Sequence, residues 1–241
     1  MRVSIARKTN YFEADPAFNI RLCPLFRMLQ EAALAHSEKA GWGMKKMSER
    51  KSVWIINKFK MELARPVTFG EELRVTTWSK AVDNLRALRE FEIFSGNEKV
   101  ATATSVWIYF DLEQKKICTI PEHAATDYGT EEGNALDFNL ARWKVSANFT
   151  PSEQCRISTR FSDFDTNGHI NNTVYIDYVE HLVSLLPARP KIKTFTIQFS
   201  KEIPPGTRHV NAGFSGDAKD GIFKIFSEDT TFATGEITFA T

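Results

Sequence analysis

A long apolar helix followed by a run of sheet-forming strands occurs twice along this chain, and few folds accommodate that order. In the first stretch, Pro24 opens a helical pattern in which Leu25, Met28, Leu29, Ala32 and His36 recur every three or four residues until Gly41. The next segment, VWIINKFKMEL, alternates, placing Val53, Ile55, Asn57, Phe59, Met61 and Leu63 on one face. Further strands are predicted at 72–81, 86–95 and 99–111, the last long and bulky enough to be central. The second stretch starts with a short strand, CRISTRF, from Cys155. A helical stripe of Val174, Tyr178, Leu182 and Leu186 follows, flanked by Tyr175, Val179 and Val183, and Pro187 stops it. Strand patterns resume at 194–203, 208–215, 221–227 and 229–240.

The turns echo one another too: ARPVTFGEEL (64–73) is similar to KEIPPGTRHV (201–210). Each half offers one apolar helix and a sheet with one face to cover, so each sheet is expected to wrap its helix. The predicted class is α+β, two helix-on-sheet units joined edge to edge into one continuous sheet. The first unit is expected over residues 1–125 and the second over 151–241. Residues 122–150 lack a sustained period, so 126–150 is read as a connector.

Composition narrows the function classes. In 241 residues, 31 Lys and Arg nearly balance 30 Asp and Glu, so no whole-molecule field points to nucleic acid or to an anionic membrane. The apolar run in MRVSIARKTNYFEAD is too short for a signal peptide, and no window approaches a membrane span. Cys23, Cys118 and Cys155 are scattered, with no CxxC pair to suggest a disulfide framework or a zinc site. A cytoplasmic protein with no cofactor is expected.

The strongest local signal is FSDFDTNGHINNTVYIDYVEH, residues 161–181. Asp165, Asn167 and His169 alternate in the run leading to the helix, and Asn171 and Asn172 stand where an N-cap belongs. A helix start offers unpaired N–H groups and a partial positive charge, which polarise a carbonyl and stabilise the oxyanion formed when water attacks it. The same composition also describes an ordinary capping loop. A calcium loop is a third reading, because Asp163, Asp165, Asn167 and Gly168 match positions 1, 3, 5 and 6 of an EF-hand. Its position 12, normally Glu, is Val174 here, and the preceding segment reads as strand. In TFTIQFSKEI, Phe195, Ile197 and Phe199 form the apolar face, so Gln198, Ser200 and Glu202 point the other way; periodicity alone reads Glu202 as a solvated residue. No GxSxG elbow, GxxxxGK[ST] or GxGxxG occurs.

At these residues the chain resembles the acyl-acyl carrier protein thioesterases of plants and bacteria. Asp165, Asn167, His169, Asn171, Asn172 and Tyr175 match the family's D-x-N-x-H-x-N-N-x-x-Y signature. LQEAA (29–33), the Trp54 strand, Arg65-Pro66 with Gly70, TTW (76–78) and ATSVW (103–107) followed by Asp111 look familiar in the first half, so the similarity spans roughly residues 5–240. The resemblance implies a tandem, or double, hotdog fold, with the acyl-chain pocket in the first unit and the catalytic set in the second. It implies that an acidic residue some three dozen positions after Asp165 completes that set, and Glu202 stands there. Many plant members carry a Cys directly after that acid; this chain has Ile203, which implies direct attack by water. The implied catalytic residues are Asp165, Asn167, His169 and Glu202. Trp54, Met61, Asn171 and Asn172 are implied contacts to substrate. The implied activity is hydrolysis of fatty acyl thioesters on acyl carrier protein, an acidic partner, by a monomer or homodimer. Acyl-CoA thioesterases, hotdog hydratases or dehydratases, and non-catalytic acyl-binding hotdog proteins are the alternatives.

Overall fold

The computed structural model describes residues 1–146, 149–165, 168–187 and 189–240. It divides into two compact units, Met1–Ile20 with Pro24–Arg142, and Arg21–Cys23 with Trp143–Thr241. The first unit contains β1 (Arg2–Lys8), α1 (Leu22–Lys39, which begins in the short segment grouped with the second unit), α2 (Met44–Glu49), β2 (Ser52–Leu63), β3 (Glu72–Val82), β4 (Ala87–Ser95), β5 (Glu98–Asp111), β6 (Lys116–Ile117) and α3 (Ala124–Asp127). The second contains β7 (Glu153–Ser158), α4 (Asn172–Leu185), β8 (Ile192–Phe199), β9 (His209–Gly216), β10 (Asp220–Ser227) and β11 (Thr230–Phe239).

Both units use one topology. In the first, antiparallel neighbours run β1-β3-β4-β5-β2, with the short β6 beside β5; in the second they run β7-β9-β10-β11-β8. Each unit therefore opens with an edge strand, passes through a single 3-10 turn and a tight loop into its long helix, and then lays down four strands. This is the hotdog arrangement, present twice along the chain. The β1 and β7 strands are counterparts. Val3 and Ile5 alternate with polar residues in β1 as Cys155 and Ile157 do in β7.

The helices form where the apolar spacing places them. Leu25, Phe26, Met28, Leu29, Ala32 and His36 of α1 are all buried, and the Phe26 ring meets Phe59 of β2 at 4.4 Å between centroids. Gly41 ends the helix at φ +75°, a conformation that favours glycine, and the Trp42 N–H reaches back to the Ser37 carbonyl at 2.8 Å. In the second unit, Val174, Tyr175, Tyr178, Val179 and Leu182 of α4 are buried, with Phe195 and Phe223 stacked at 5.3 Å in the same unit's core.

Two sequence expectations change. The simple alternation in β2 fails because the strand bulges at Asn57: Ile56 pairs with Trp107 and Lys58 with Val106. The extra residue switches the phase, so Ile56, not Ile55, is buried with Phe59 and Met61. The predicted strand at 194–203 ends at Phe199, because the Ser200 and Lys201 N–H groups both turn onto the Phe232 carbonyl, at 2.8 and 3.2 Å. Glu202 thus lies in the turn beyond β8. No helix among the described residues is long and apolar enough to cross a membrane.

Candidate active site

The second unit builds its candidate site from the end of β7, the loop before α4 and the turn after β8. The Thr159 N–H donates to the Arg208 carbonyl at 3.0 Å and its hydroxyl to the Thr207 carbonyl at 2.5 Å, fastening that turn to the end of the edge strand. One 3-10 turn then brings in Asp163, which is 1% exposed. Its carboxylate accepts from the Arg160 backbone N–H (2.9 Å), the Arg160 Nε (3.0 Å) and the Tyr178 hydroxyl (2.9 Å). Burial and the Asp163 carboxylate together push the Tyr178 hydroxyl well above the ordinary tyrosine range. This buried network was not read from the sequence; Tyr178 showed only as part of the helix stripe. It also disposes of the calcium reading, since the would-be first ligand is buried and committed to three donors.

The loop itself is a narrow hairpin. Phe164 bridges Ile170, the Asp165 N–H donates to the His169 carbonyl at 2.9 Å, and the Gly168 N–H donates to the Asp165 carbonyl at 3.0 Å. Gly168 has φ +78°, which suits glycine in so tight a reversal. The Asp165 Oδ1 accepts the His169 N–H at 3.4 Å, so the carboxylate braces the backbone that presents the imidazole. Asn167 lies outside the described residues. The Ile170 N–H reaches the Ile203 carbonyl at 3.4 Å, tying the hairpin to the turn after β8.

That tie brings His169 to Glu202. The imidazole Nδ1 is 3.3 Å from Glu202 Oε2, with the side chains 36% and 60% exposed, so the pair is open to solvent and substrate. Tyr175 lies behind it, buried. Its hydroxyl donates to the Lys201 carbonyl at 3.3 Å and accepts the Ile203 N–H at 3.1 Å, holding the peptide groups on both sides of Glu202. Burial raises the Tyr175 pKa above its usual value, keeping the phenol protonated. The signature had marked Tyr175 without giving it a job.

Asn171 is the N-cap of α4, its side-chain oxygen accepting the Thr173 N–H at 2.9 Å. With that oxygen committed, Asn171 contributes through the helix start. The Asn172 N–H, the first of the helix, has no acceptor among the described residues. The site therefore combines a His–carboxylate pair able to move a proton with a helix N-terminus able to hold an anionic oxygen. The remaining candidates, Trp54 and Met61, belong to the first unit. Trp54 packs with Trp42 and Tyr109, at 5.9 and 5.0 Å, and Met61 is wholly buried in β2 opposite Ala103.

The first unit contains the same hairpin without the chemistry. Ala14 bridges Ile20, the Asp15 N–H meets the Asn19 carbonyl at 2.7 Å, and the Ile20 N–H meets the Val67 carbonyl at 2.7 Å. Asn19 thus stands where the second unit has His169, and Pro66, just before Val67, stands where it has Glu202.

Comparison with known proteins agrees with this architecture. A dodecanoyl-acyl-carrier-protein hydrolase of Cinnamomum camphora is 23% identical over 204 residues, 79% of this chain and 53% of its own length. A palmitoyl-acyl carrier protein thioesterase of Arabidopsis thaliana is 22% identical over 187 residues, 72% and 45% respectively. The chain thus spans about half the length of these curated relatives. Among solved structures, the 12:0-ACP thioesterase from Umbellularia californica superposes with a TM-score of 0.87 at 18% identity, covering 99% of this chain and 97% of that one. An acyl-ACP thioesterase from Bacteroides thetaiotaomicron gives 0.84 at 22%, covering 99% and 98%. These likenesses concern the fold. The acyl-ACP thioesterase N-terminal domain matches residues 6–128 and the acyl-ACP thioesterase C-terminal domain residues 146–236; the chain belongs to the acyl-ACP thioesterase family.

Proposed function

We propose that this protein hydrolyses the thioester joining a fatty acyl group to acyl carrier protein, releasing the free acid and the carrier thiol. The observation that carries this is the His169–Glu202 pair, 3.3 Å apart, with His169 just ahead of the start of α4. Glu202 and His169 orient a water and take its proton as its oxygen bonds to the carbonyl carbon. The carbonyl electrons move onto oxygen, where the Asn172 N–H and the Asn167 side chain hold the charge. Collapse of that adduct breaks the carbon–sulfur bond, and the departing thiolate takes back the proton. Asp165 orients His169 or Asn167, or shares the base role; its bond to the His169 N–H favours the first. Each proton-transfer role is worth about 10²–10⁴-fold in rate.

The opposite helix start supports the oxyanion role. Leu22 and Cys23 open α1 as Asn172 and Thr173 open α4, and their N–H groups donate to the two oxygens of Glu180 at 2.6 and 3.1 Å. A helix beginning of this form therefore accepts a carboxylate; at α4 the Thr173 N–H goes to the Asn171 cap, and the Asn172 N–H is the donor proposed for the substrate oxygen. Ile203, fully buried, follows Glu202 where a cysteine would be needed for a covalent intermediate, which favours direct attack by water. Trp54 and Met61 in the first unit are proposed to set the depth of the acyl slot. Cys23, Cys118 and Cys155 as thiols fit a reducing cytoplasm.

The test is release of free thiol from acyl-carrier thioesters over a series of chain lengths, beside the matching CoA thioesters at low substrate concentration. Hydrolysis of the carrier thioesters with higher kcat/KM is expected. Preference for CoA would make it an acyl-CoA thioesterase, and acyl binding without thiol release would make it a non-catalytic binder.

A further inference from the structure

The matching plan of the two units supplies an internal control for their surfaces. The Thr9 N–H donates to the Glu71 carbonyl in the first unit, and the Thr159 N–H to that of Arg208 in the second; Lys8 pairs with Glu72 in register, and Ser158 with His209. Arg208 and His209 therefore stand where the first unit carries Glu71 and Glu72. On the edge strand and the residue opening the 3-10 turn, Arg156 and Arg160 replace Ala6 and Asn10, while Ser158 replaces Lys8. With Arg65 as the counterpart of Lys201, the same backbone frame is balanced in charge in one unit and basic in the other, so the frame does not require Arg156, Arg160 and Arg208.

Their pairing differs as well. In the first unit, Arg65 is neutralised by Glu71 and Glu98, at 2.9 and 3.0 Å, and Arg7 by Glu13. At the matching positions of the second, Arg160 has an acid, the buried Asp163. Arg156, Lys201 and Arg208 have no carboxylate partner among the described residues, and Arg156 instead donates to the His209 ring at 2.7 Å. Cations on an edge strand commonly guard it against pairing with another strand. That role does not account for Lys201 and Arg208, which lie in the turn that carries Glu202.

An apolar residue stands among the cations. Phe161 is 98% exposed and stands alone among the described residues, whereas its counterpart Tyr11, 61% exposed, is part of an exposed ring cluster with Phe12 and Phe69 at 5.5 and 5.9 Å. Pro205 takes the place of Phe69, and no ring covers Phe161 among the described residues. A charged rim around an exposed aromatic anchor is the makeup of a protein-docking surface.

We infer that Arg156, Arg160, Phe161, Lys201 and Arg208 form the docking surface for the carrier, specifically for an acidic amphipathic helix that presents its thioester arm beside Glu202. This rests on the proposed hydrolysis of carrier-bound thioesters and says where the carrier sits. The cations steer the acidic helix to the turn, and Phe161 inserts against its apolar side. Because the chain carries a formal net charge of only +1, the attraction comes from this patch and is weakened by salt.

The experiment compares the native protein with the Arg156→Glu/Arg208→Glu double variant and with Phe161→Ala. Each is assayed on one acyl chain carried either by acyl carrier protein or by N-acetylcysteamine, which has no protein surface. The double variant should raise KM for the carrier substrate by about tenfold or more, with little change in kcat. It should also flatten the salt dependence of kcat/KM and leave the small thioester unaffected; Phe161→Ala should raise the same KM at every salt concentration. Carrier KM values within about twofold of native, or equal losses on both substrates, would overturn the docking surface. A native protein that hydrolysed the small thioester but not the carrier one would overturn the carrier reading as well, and one that hydrolysed neither would remove the thioesterase reading itself.

Discussion

Tyr175 holds both peptide neighbours of Glu202 through one hydroxyl, which makes the position of the carboxylate depend on a residue that never meets the reacting atoms. Removing that hydroxyl leaves the buried Ile203 N–H without an acceptor, at a cost of about 1–3 kcal/mol. Tyr175→Phe should lower kcat about tenfold with KM nearly unchanged, because misplacing a base affects the transition state more than ground-state binding. A Tm fall without any change in kcat would show that the hydroxyl only stabilises the turn. Gly168 carries a similar load in the hairpin. At φ +78°, Gly168→Ala should cost about 1 kcal/mol and disturb His169, seen as a loss of kcat beyond the loss of Tm.

The elements were legible where one period ran unbroken and hidden where tertiary pairing intervened. Helix α1 follows from the spacing of Leu25, Met28, Leu29 and Ala32, and α4 from Val174, Tyr178 and Leu182, because burial of one stripe is a local property. The β2 phase was not legible: alternation cannot show that Asn57 would be squeezed out between Ile56 and Lys58. The strand β1 could have been read from Val3 and Ile5, whose alternation matches Cys155 and Ile157. At the site, Asp165, His169 and the cap at Asn171 stand together in sequence and were visible. Glu202 came from the family resemblance, and its distance to His169 depends on the Ile170–Ile203 bond, which no periodicity encodes. One polar residue in the α1 stripe also gives that helix a pH signature. His36 is wholly buried, its Nδ1 beside the Arg89 guanidinium at 2.7 Å and its Nε2 beside the Tyr128 carbonyl. Burial, then the Arg89 charge, lowers its pKa from 6.5 to about 4. The folded protein thus binds this proton more weakly than the unfolded chain. The group supports folding above pH 6.5, and that support is lost as pH falls toward 4, by about 3 kcal/mol in all. Glu180 acts in the opposite sense, since burial raises its pKa from 4.5 to about 7 and its support is lost as pH rises through that range. His36→Gln should therefore flatten the acid side of a Tm–pH profile; an unchanged slope between pH 6.5 and 4 would deny the buried imidazole this role.

At the scale of the whole chain, the two units share one frame, and the proposed reactive pair stands in the second. The first unit keeps the hairpin, with Asp15 in place of Asp165, but Asn19 and Pro66 stand in place of His169 and Glu202, and neither can move a proton as that pair can. The first two N–H groups of α1 go to Glu180, whereas at α4 the Thr173 N–H goes to the Asn171 cap and the Asn172 N–H has no acceptor among the described residues. The proposed mechanism therefore expects one site per chain, in the second unit. The most direct measurement is thiol release from an acyl-carrier thioester by Glu202→Ala at saturating substrate, with circular dichroism and Tm recorded to show that the fold is kept. A loss of at least about 10²-fold in kcat with native spectra is the predicted result. Activity near the native level, or near half of it as a second working site would leave, would contradict the account.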